Sequence, residues 1–226
     1  MIQLDKGGRA AWLTSALGFV GLILIWAAAN ATGVVTPRLL PSPFLTAEAL
    51  VRGIWSEGLG FDLGYTVRRT LEAFALASVI GVPIGLVIGS SVRVYRSMEF
   101  LIDFFRSTPA TALFPLFMII FGLGDGAKIA VAAFSAALIL IFNVAYGVMN
   151  ARPTRTLAAR VMGASRLRVF CDVTFYESLP QTFVGVRTAV SLALVVVIVA
   201  EMFIGSDNGL GKRIIDAQIT FDMPGL

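Results

Sequence analysis

Apolar runs separated by short polar segments dominate this chain. Four of them approach or exceed the ~20 residues that a helix needs to cross a bilayer, and a fifth is shorter and broken by prolines. The runs predict membrane spans at about Leu13–Ala29, Leu71–Ser90, Thr108–Leu123, Ile129–Val148 and Thr182–Ile204. Backbone in hydrocarbon must satisfy its own hydrogen bonds, so the expected fold is all-α: a membrane protein with five predicted transmembrane helices.

The polar segments suggest how the spans are organised. Lys6 and Arg9 precede the first run and Ala27, Ala28 and Ala29 close it, imitating a signal peptide with a small-residue cleavage site. The run is long for that role and further spans follow, so it reads as an uncleaved anchor. From Asn30 to Arg69 the chain is mixed, with Pro37, Pro41 and Pro43 ahead of an amphipathic stretch, Phe44–Trp55, suited to a membrane surface. The expected domains are 1–69, an anchor span with an external amphipathic segment, and 70–226, a core whose cytoplasmic loop lies at about 149–180.

Within the second span, Ala73, Ala77, Gly81, Gly85 and Gly89 recur every four residues and so share one helical face. Small residues in that register let another helix backbone approach closely, either within this chain or across a seam between two copies. Pro83 interrupts the same span and predicts a kink. The third span carries Pro109 and Pro115, which predicts a tilted or interfacial helix over Ser97–Arg106 before it; the turn Gly122-Leu123-Gly124-Asp125-Gly126 closes it.

Composition agrees with lipid as the solvent: 57% of the residues are hydrophobic and 14% charged, against about 25% charged in soluble domains. There is no histidine, which excludes a Ser-His-Asp triad, a Cys-His dyad and the His-Glu-x-x-His zinc motif. Cys171 has no intrachain partner and reads as a packing residue. A net charge of +4 would prompt a search for a nucleic-acid surface in a soluble chain; here the basic residues sort into loops, the pattern of membrane topology. With the amino terminus inside, Lys6, Arg9, Arg93, Arg96, Arg106, Arg152, Arg155, Arg160, Arg166 and Arg168 fall on the cytoplasmic side. Arg38, Arg52, Arg68, Arg69, Lys128, Lys212 and Arg213 fall opposite, and the compact loop with five arginines fixes the orientation.

That loop has its own grammar. Pro153 suits the first turn of a helix running to about Met162, Gly163 breaks it, and Ser165 can cap a second helix. In the second, Leu167, Phe170, Val173 and Tyr176 recur at spacing of three, leaving Arg166, Arg168 and Asp172 on other faces. Two short helices meeting at a glycine form an angled hairpin able to dock into a groove on a cytoplasmic partner.

These residues resemble the membrane permease subunits of bacterial ABC importers of the nitrate, sulfonate and taurine type. The family's cytoplasmic signature is Glu-Ala-Ala, three residues, Gly; Ala158, Ala159 and Gly163 match it, Ala164 and Ser165 continue it, and Val173 with Pro180 fits its close. Leu157 stands where the family has its glutamate, and Tyr176 where it often has a proline. Elsewhere Arg69-Thr70-Leu71, Arg106 to Pro109, Pro115, Phe121-Gly122-Leu123-Gly124, Asn143, Gly147, Arg187, Glu201-Met202 and Gly209-Leu210-Gly211 follow in family order.

The resemblance implies a type I importer permease core that pairs with a copy of itself, two cytoplasmic ATPases and an external solute-binding protein, in the bacterial inner membrane. It implies ATPase coupling through Leu157, Ala158, Ala159, Gly163, Ala164 and Ser165, with no cofactor. Relatives continue into one further span beyond the position of Leu226, so a final span is expected to be missing here. ATP chemistry belongs on another chain, since Gly211-Lys212 is followed by Arg213 and has Ser206 where a phosphate-binding loop needs its first glycine.

A secondary transporter or channel is the competing class and would need intramembrane ionisable residues on a coupling-ion path. Arg187 and Glu201 in the last span are the pathway candidates, but fourteen residues separate them, about 21 Å along a helix. Both lie near span ends, where long side chains snorkel. Arg187 reads either as a ligand for an anionic solute or as an interfacial anchor. A membrane enzyme would need a clustered nucleophile, base or metal set, and none is present in the sequence.

Overall fold

The computed structural model describes residues 8–33, 35, 36 and 39–225, with side chains from residue 16 onward. Lys6, Pro37, Arg38 and Leu226 therefore lie outside the described residues, as does the Arg9 side chain. The described elements are all helical: α1 (Gly8–Ala31), α2 (Pro43–Ser56), α3 (Leu59–Gly89), α4 (Val92–Ser107), a 3-10 turn (Ala110–Leu113), α5 (Phe114–Phe121) and α6 (Asp125–Met149). They continue with α7 (Pro153–Val161), α8 (Arg166–Val169), a π-helical turn (Phe170–Thr174), α9 (Phe175–Phe203), α10 (Leu210–Thr220) and a 3-10 turn (Met223–Gly225).

Among the described residues, three helices are long and apolar enough to cross a membrane: Leu59–Gly89, Asp125–Met149 and the continuous Arg166–Phe203. A fourth is reached if α4 and the Ala110–Phe121 segment, bent by 91° at the break, count as one span. The break falls at Thr108 and Pro109, so the third expected span begins at a right-angled turn from the helix before it, where the proline interrupts the hydrogen-bond ladder. The first expected span is helical, but its described apolar part, Ala16–Ala31, is shorter than a crossing.

The chain divides into two compact units, Met1–Gly60 with Arg213–Leu226, and Phe61–Lys212. In the first, the Trp26 indole N–H donates to the Pro41 carbonyl at 2.9 Å and the Asn30 amide to the Leu40 carbonyl at 2.7 Å, tying α1 to the segment ahead of α2. Ser42 caps α2, accepting from the Leu45 N–H, and Pro43 occupies its first turn. Phe44, Leu50, Val51, Ile54 and Trp55 of this amphipathic helix are exposed, and Arg213 donates to the Glu57 carbonyl.

The second unit is built around α6, whose alanines and valines are buried along nearly its whole length. Ala77, Gly81, Gly85 and Gly89 of α3 lie against it. A Cβ at Gly85 would fall 2.7 Å from Val144 Cβ and 2.9 Å from the Ile141 carbonyl oxygen, so only a hydrogen fits there. On another side of α6, α9 packs with Ala189, Ala193, Val196, Val197 and Ala200 in the shared cores. The amphipathic α4 buries Ile102 against Ile141 and Ala145, and α5 inserts Phe114 beside Val131. Through these contacts α6 sets the positions of α3, α4, α5 and α9.

Candidate functional site

Two polar constellations sit at opposite ends of the α3, α6 and α9 bundle. At one end is the hairpin of α7 and α8. Pro153 starts α7, and Met162 ends it; Gly163 then adopts φ +86°, the left-handed conformation that glycine enters without strain. The Gly163 N–H donates to the Arg160 carbonyl at 2.9 Å and the Ala164 N–H to the Ala159 carbonyl at 3.0 Å, the paired bonds of a Schellman ending. Ser165 caps α8 by accepting from the Arg168 N–H at 3.3 Å. Arg155 and Arg152 both reach Glu177 at the start of α9, clasping the base of the hairpin.

Leu157, Val161, Met162 and Leu167 are exposed on this hairpin, and so are Ala158, Gly163 and Ser165, while Ala159 and Ala164 are half-buried. Of the residues that recur at spacing of three, Phe170 and Val173 are half-buried and Leu167 is exposed. Val169 is buried, and the π-turn at Phe170–Thr174 carries α8 into α9. The expected second short helix is also continuous with the last span rather than separated from it by the Pro180 region, since Pro180 lies inside α9. A cleft of about 620 Å³ lies between the hairpin and the ends of α3 and α6, bordered by Gly89, Val148, Thr156, Arg160, Arg166 and Val169.

The opposite end carries a buried ion network. Arg69 and Glu201 are 4% and 0% exposed and meet at 2.6 Å. Arg69 also binds Asp125 at 2.8 Å and donates to the Asn208 carbonyl at 2.7 Å. Glu201 accepts further bonds from the Thr66 hydroxyl and the Gly211 N–H, each at 2.9 Å. Lys128, 3% exposed, reaches Asp125 at 3.5 Å and the Ser206 hydroxyl at 3.2 Å. Asp62 accepts from the Gly209 N–H at 2.8 Å, and Thr66 from the Leu210 N–H at 2.9 Å. Two buried cations thus face two carboxylates with their lone pairs engaged, the condition under which such charges are tolerated away from water.

Glu201 therefore does not snorkel: it is enclosed, because α3 supplies a countercharge that the position of Glu201 in its own helix does not reveal. Sequence reasoning placed Arg69 in a loop ahead of the second span, whereas α3 begins at Leu59. The overlooked signal was the polar stripe Asp62, Thr66 and Arg69, which follows helical spacing. Arg187, by contrast, is exposed on α9 in one face with Thr188 and Ser191, so the structure does not bring Arg187 and Glu201 together.

Residues 81–226 match the family described as binding-protein-dependent transport system inner membrane component. The chain belongs to this family. It is 33% identical over 213 residues to a probable ABC transporter permease protein of Brucella melitensis, an alignment covering 94% of this chain and 83% of that protein. It is 27% identical to the taurine transport system permease protein of Escherichia coli, over 88% of this chain and 74% of the relative. Identity is also 27% to the bicarbonate transport system permease protein of Synechococcus elongatus, over 88% and 75% of the two. The chain is accordingly a multi-pass ABC permease of the inner membrane, a translocation subunit rather than an enzyme, of a family that works with an ATPase and a binding protein. Family membership also decides against the secondary transporter.

Proposed function

We propose that this permease carries a small anionic solute across the inner membrane as one half of a symmetric pair, driven by ATPases that dock on the α7–α8 hairpin. The observation that carries the reading is the hairpin itself: a turn held by a Schellman ending, a serine cap and the Glu177 clasp, yet presenting Leu157, Val161, Met162 and Leu167 outward. A rigid element with an apolar exposed face is suited to transmit motion from a docked partner. Leu157 in place of a glutamate makes that contact apolar rather than ionic. The solute class follows relatives named for taurine and bicarbonate, and an external binding protein would deliver it.

In this proposal Arg187, with Thr188 and Ser191, lines the pathway, because a polar stripe on an exposed helix face within a span requires water or protein beside it. Glu201 holds the outer end of the bundle together instead. The test is Gly163→Val in vesicles containing the permease, its ATPase and its binding protein. A β-branched residue is strained at φ +86°, so ATP hydrolysis should lose its response to loaded binding protein and uptake should fall, with membrane insertion intact. ATP-driven uptake at the unsubstituted rate would refute the coupling assignment.

A further inference from the structure

At the break between α4 and α5 lies a partly open cavity of about 270 Å³, level with the middle of α6. Arg106, Thr108, Phe134, Ser135, Leu138 and Leu192 line it. Its volume falls just below the ~300–1,000 Å³ of sites for larger organic ligands, which suits a solute of few heavy atoms. Discontinuous membrane helices place polar side chains and free backbone ends at such depths, where a straight helix would present only side chains.

Arg106 differs in kind from Arg69. The Arg69 guanidinium is almost fully buried and engaged by two carboxylates and a carbonyl. The Arg106 guanidinium sits over the Phe142 ring, 4.0 Å from its centroid, and has one ionic contact, 3.3 Å from Nη1 to the mostly exposed Asp103. That separation exceeds the ~2.7–2.9 Å of a strong charge-assisted bond. Among the described residues its other N–H groups donate to no protein atom. The ring holds the guanidinium in place through a cation–π contact without consuming its hydrogen bonds.

Two hydroxyls complete the lining. Thr108 donates to the Phe104 carbonyl and Ser135 to the Val131 carbonyl, each at 2.9 Å. Hydroxyl hydrogens rotate to suit a partner, so both groups can turn toward an acceptor. The remaining walls are aromatic and aliphatic, which lowers the local dielectric and strengthens attraction between the guanidinium and an anion.

We infer that this cavity is a binding site for the anionic group of the transported solute, with Arg106 as its charged ligand and Thr108 and Ser135 as adaptable polar contacts. The assignment rests on the permease reading above and adds a solute site to it. It predicts a small oxyanion such as nitrate, bicarbonate or the sulfonate of an alkanesulfonate.

The experiment uses the reconstituted chain with Cys171→Ser and Leu138→Cys, and measures the rate at which methyl methanethiosulfonate modifies the cavity thiol. Nitrate, bicarbonate and methanesulfonate are added in turn, with glycerol as a neutral solute of similar size. At least one anion should slow modification by roughly tenfold or more, as expected for blocking by charge-assisted contacts; glycerol should not. Arg106→Gln should remove the protection and Arg106→Lys retain part of it. Absence of protection by all three anions, protection by glycerol to the same degree, or full protection in Arg106→Gln would overturn the site. If Arg106→Gln does not fold, the comparison of anions with glycerol in the Arg106 protein decides alone. ATP-driven uptake by the complete transporter, measured in parallel, separates the two proposals: uptake without anion protection removes only the site, whereas no uptake removes the permease reading on which it rests.

Discussion

At Glu201 a single carboxylate joins three segments of the bundle, since its partners come from α3 and from the first turn of α10 as well as its own helix. Such a residue is worth more than its hydrogen-bond count, because removing its charge leaves Arg69 buried with only Asp125 to balance it. Glu201→Gln should therefore destabilise the protein by about 3 kcal/mol, the lower part of the range for breaking a buried pair. The exposed Glu48, paired with Arg52 at 2.7 Å, provides the comparison; Glu48→Gln should change stability by less than about 1 kcal/mol. Unfolding in detergent measures both, and equal midpoints for the two variants would contradict the structural role. The charges of this network were legible in the sequence one by one. Their pairing was not, because Arg69 and Glu201 are brought together by the packing of α3 and α9 on α6.

Among the elements, α3 and α6 are in close backbone contact along the small-residue face. Gly85→Ala adds one methyl group that has no room beside Val144 and Ile141, so one helix must shift, at a cost of roughly 1–3 kcal/mol. Gly21→Ala adds the same group where nothing lies within 4 Å and should leave stability unchanged or raise it slightly. The ratio of folded protein after purification and the unfolding midpoint report the difference; an unaffected Gly85→Ala would show that the two helices stand further apart. The spacing of four that marks this face was readable directly, since helical periodicity is a local property. The π-turn at Phe170–Thr174 has no such mark, because the extra residue of a π-turn leaves no periodicity of its own.

For the whole molecule, orientation and pathway make separate predictions. Cys171 is exposed, so burial will not mask it: a membrane-impermeant thiol reagent should label it after permeabilisation and hardly at all in intact cells. Labelling of intact cells would invert the proposed orientation. The pathway prediction compares two exposed positions in a Cys171→Ser background, Ser191 in the polar stripe of α9 and Val79 on an apolar face of α3. In the assembled transporter Ser191→Cys should react with a water-soluble reagent at least about tenfold faster than Val79→Cys, because thiolate chemistry requires access to water. Similar rates would place the stripe away from any aqueous path.

The sequence by itself determined the class of the protein, because lengths of apolar run, scarcity of charge and the distribution of arginines are set by the bilayer and not by packing. It also determined the hairpin's local form at Pro153, Gly163 and Ser165, since caps and left-handed turns are decided within a few residues of chain. Only the tertiary structure decided which charges are enclosed, that the chain turns by 91° between α4 and the third expected span, and that a cavity opens there beside Arg106. These depend on distances between segments far apart in the chain. The physical reason is that desolvation and ion pairing act through space, and a charge's neighbours in space are fixed by how α6 gathers the other helices around it.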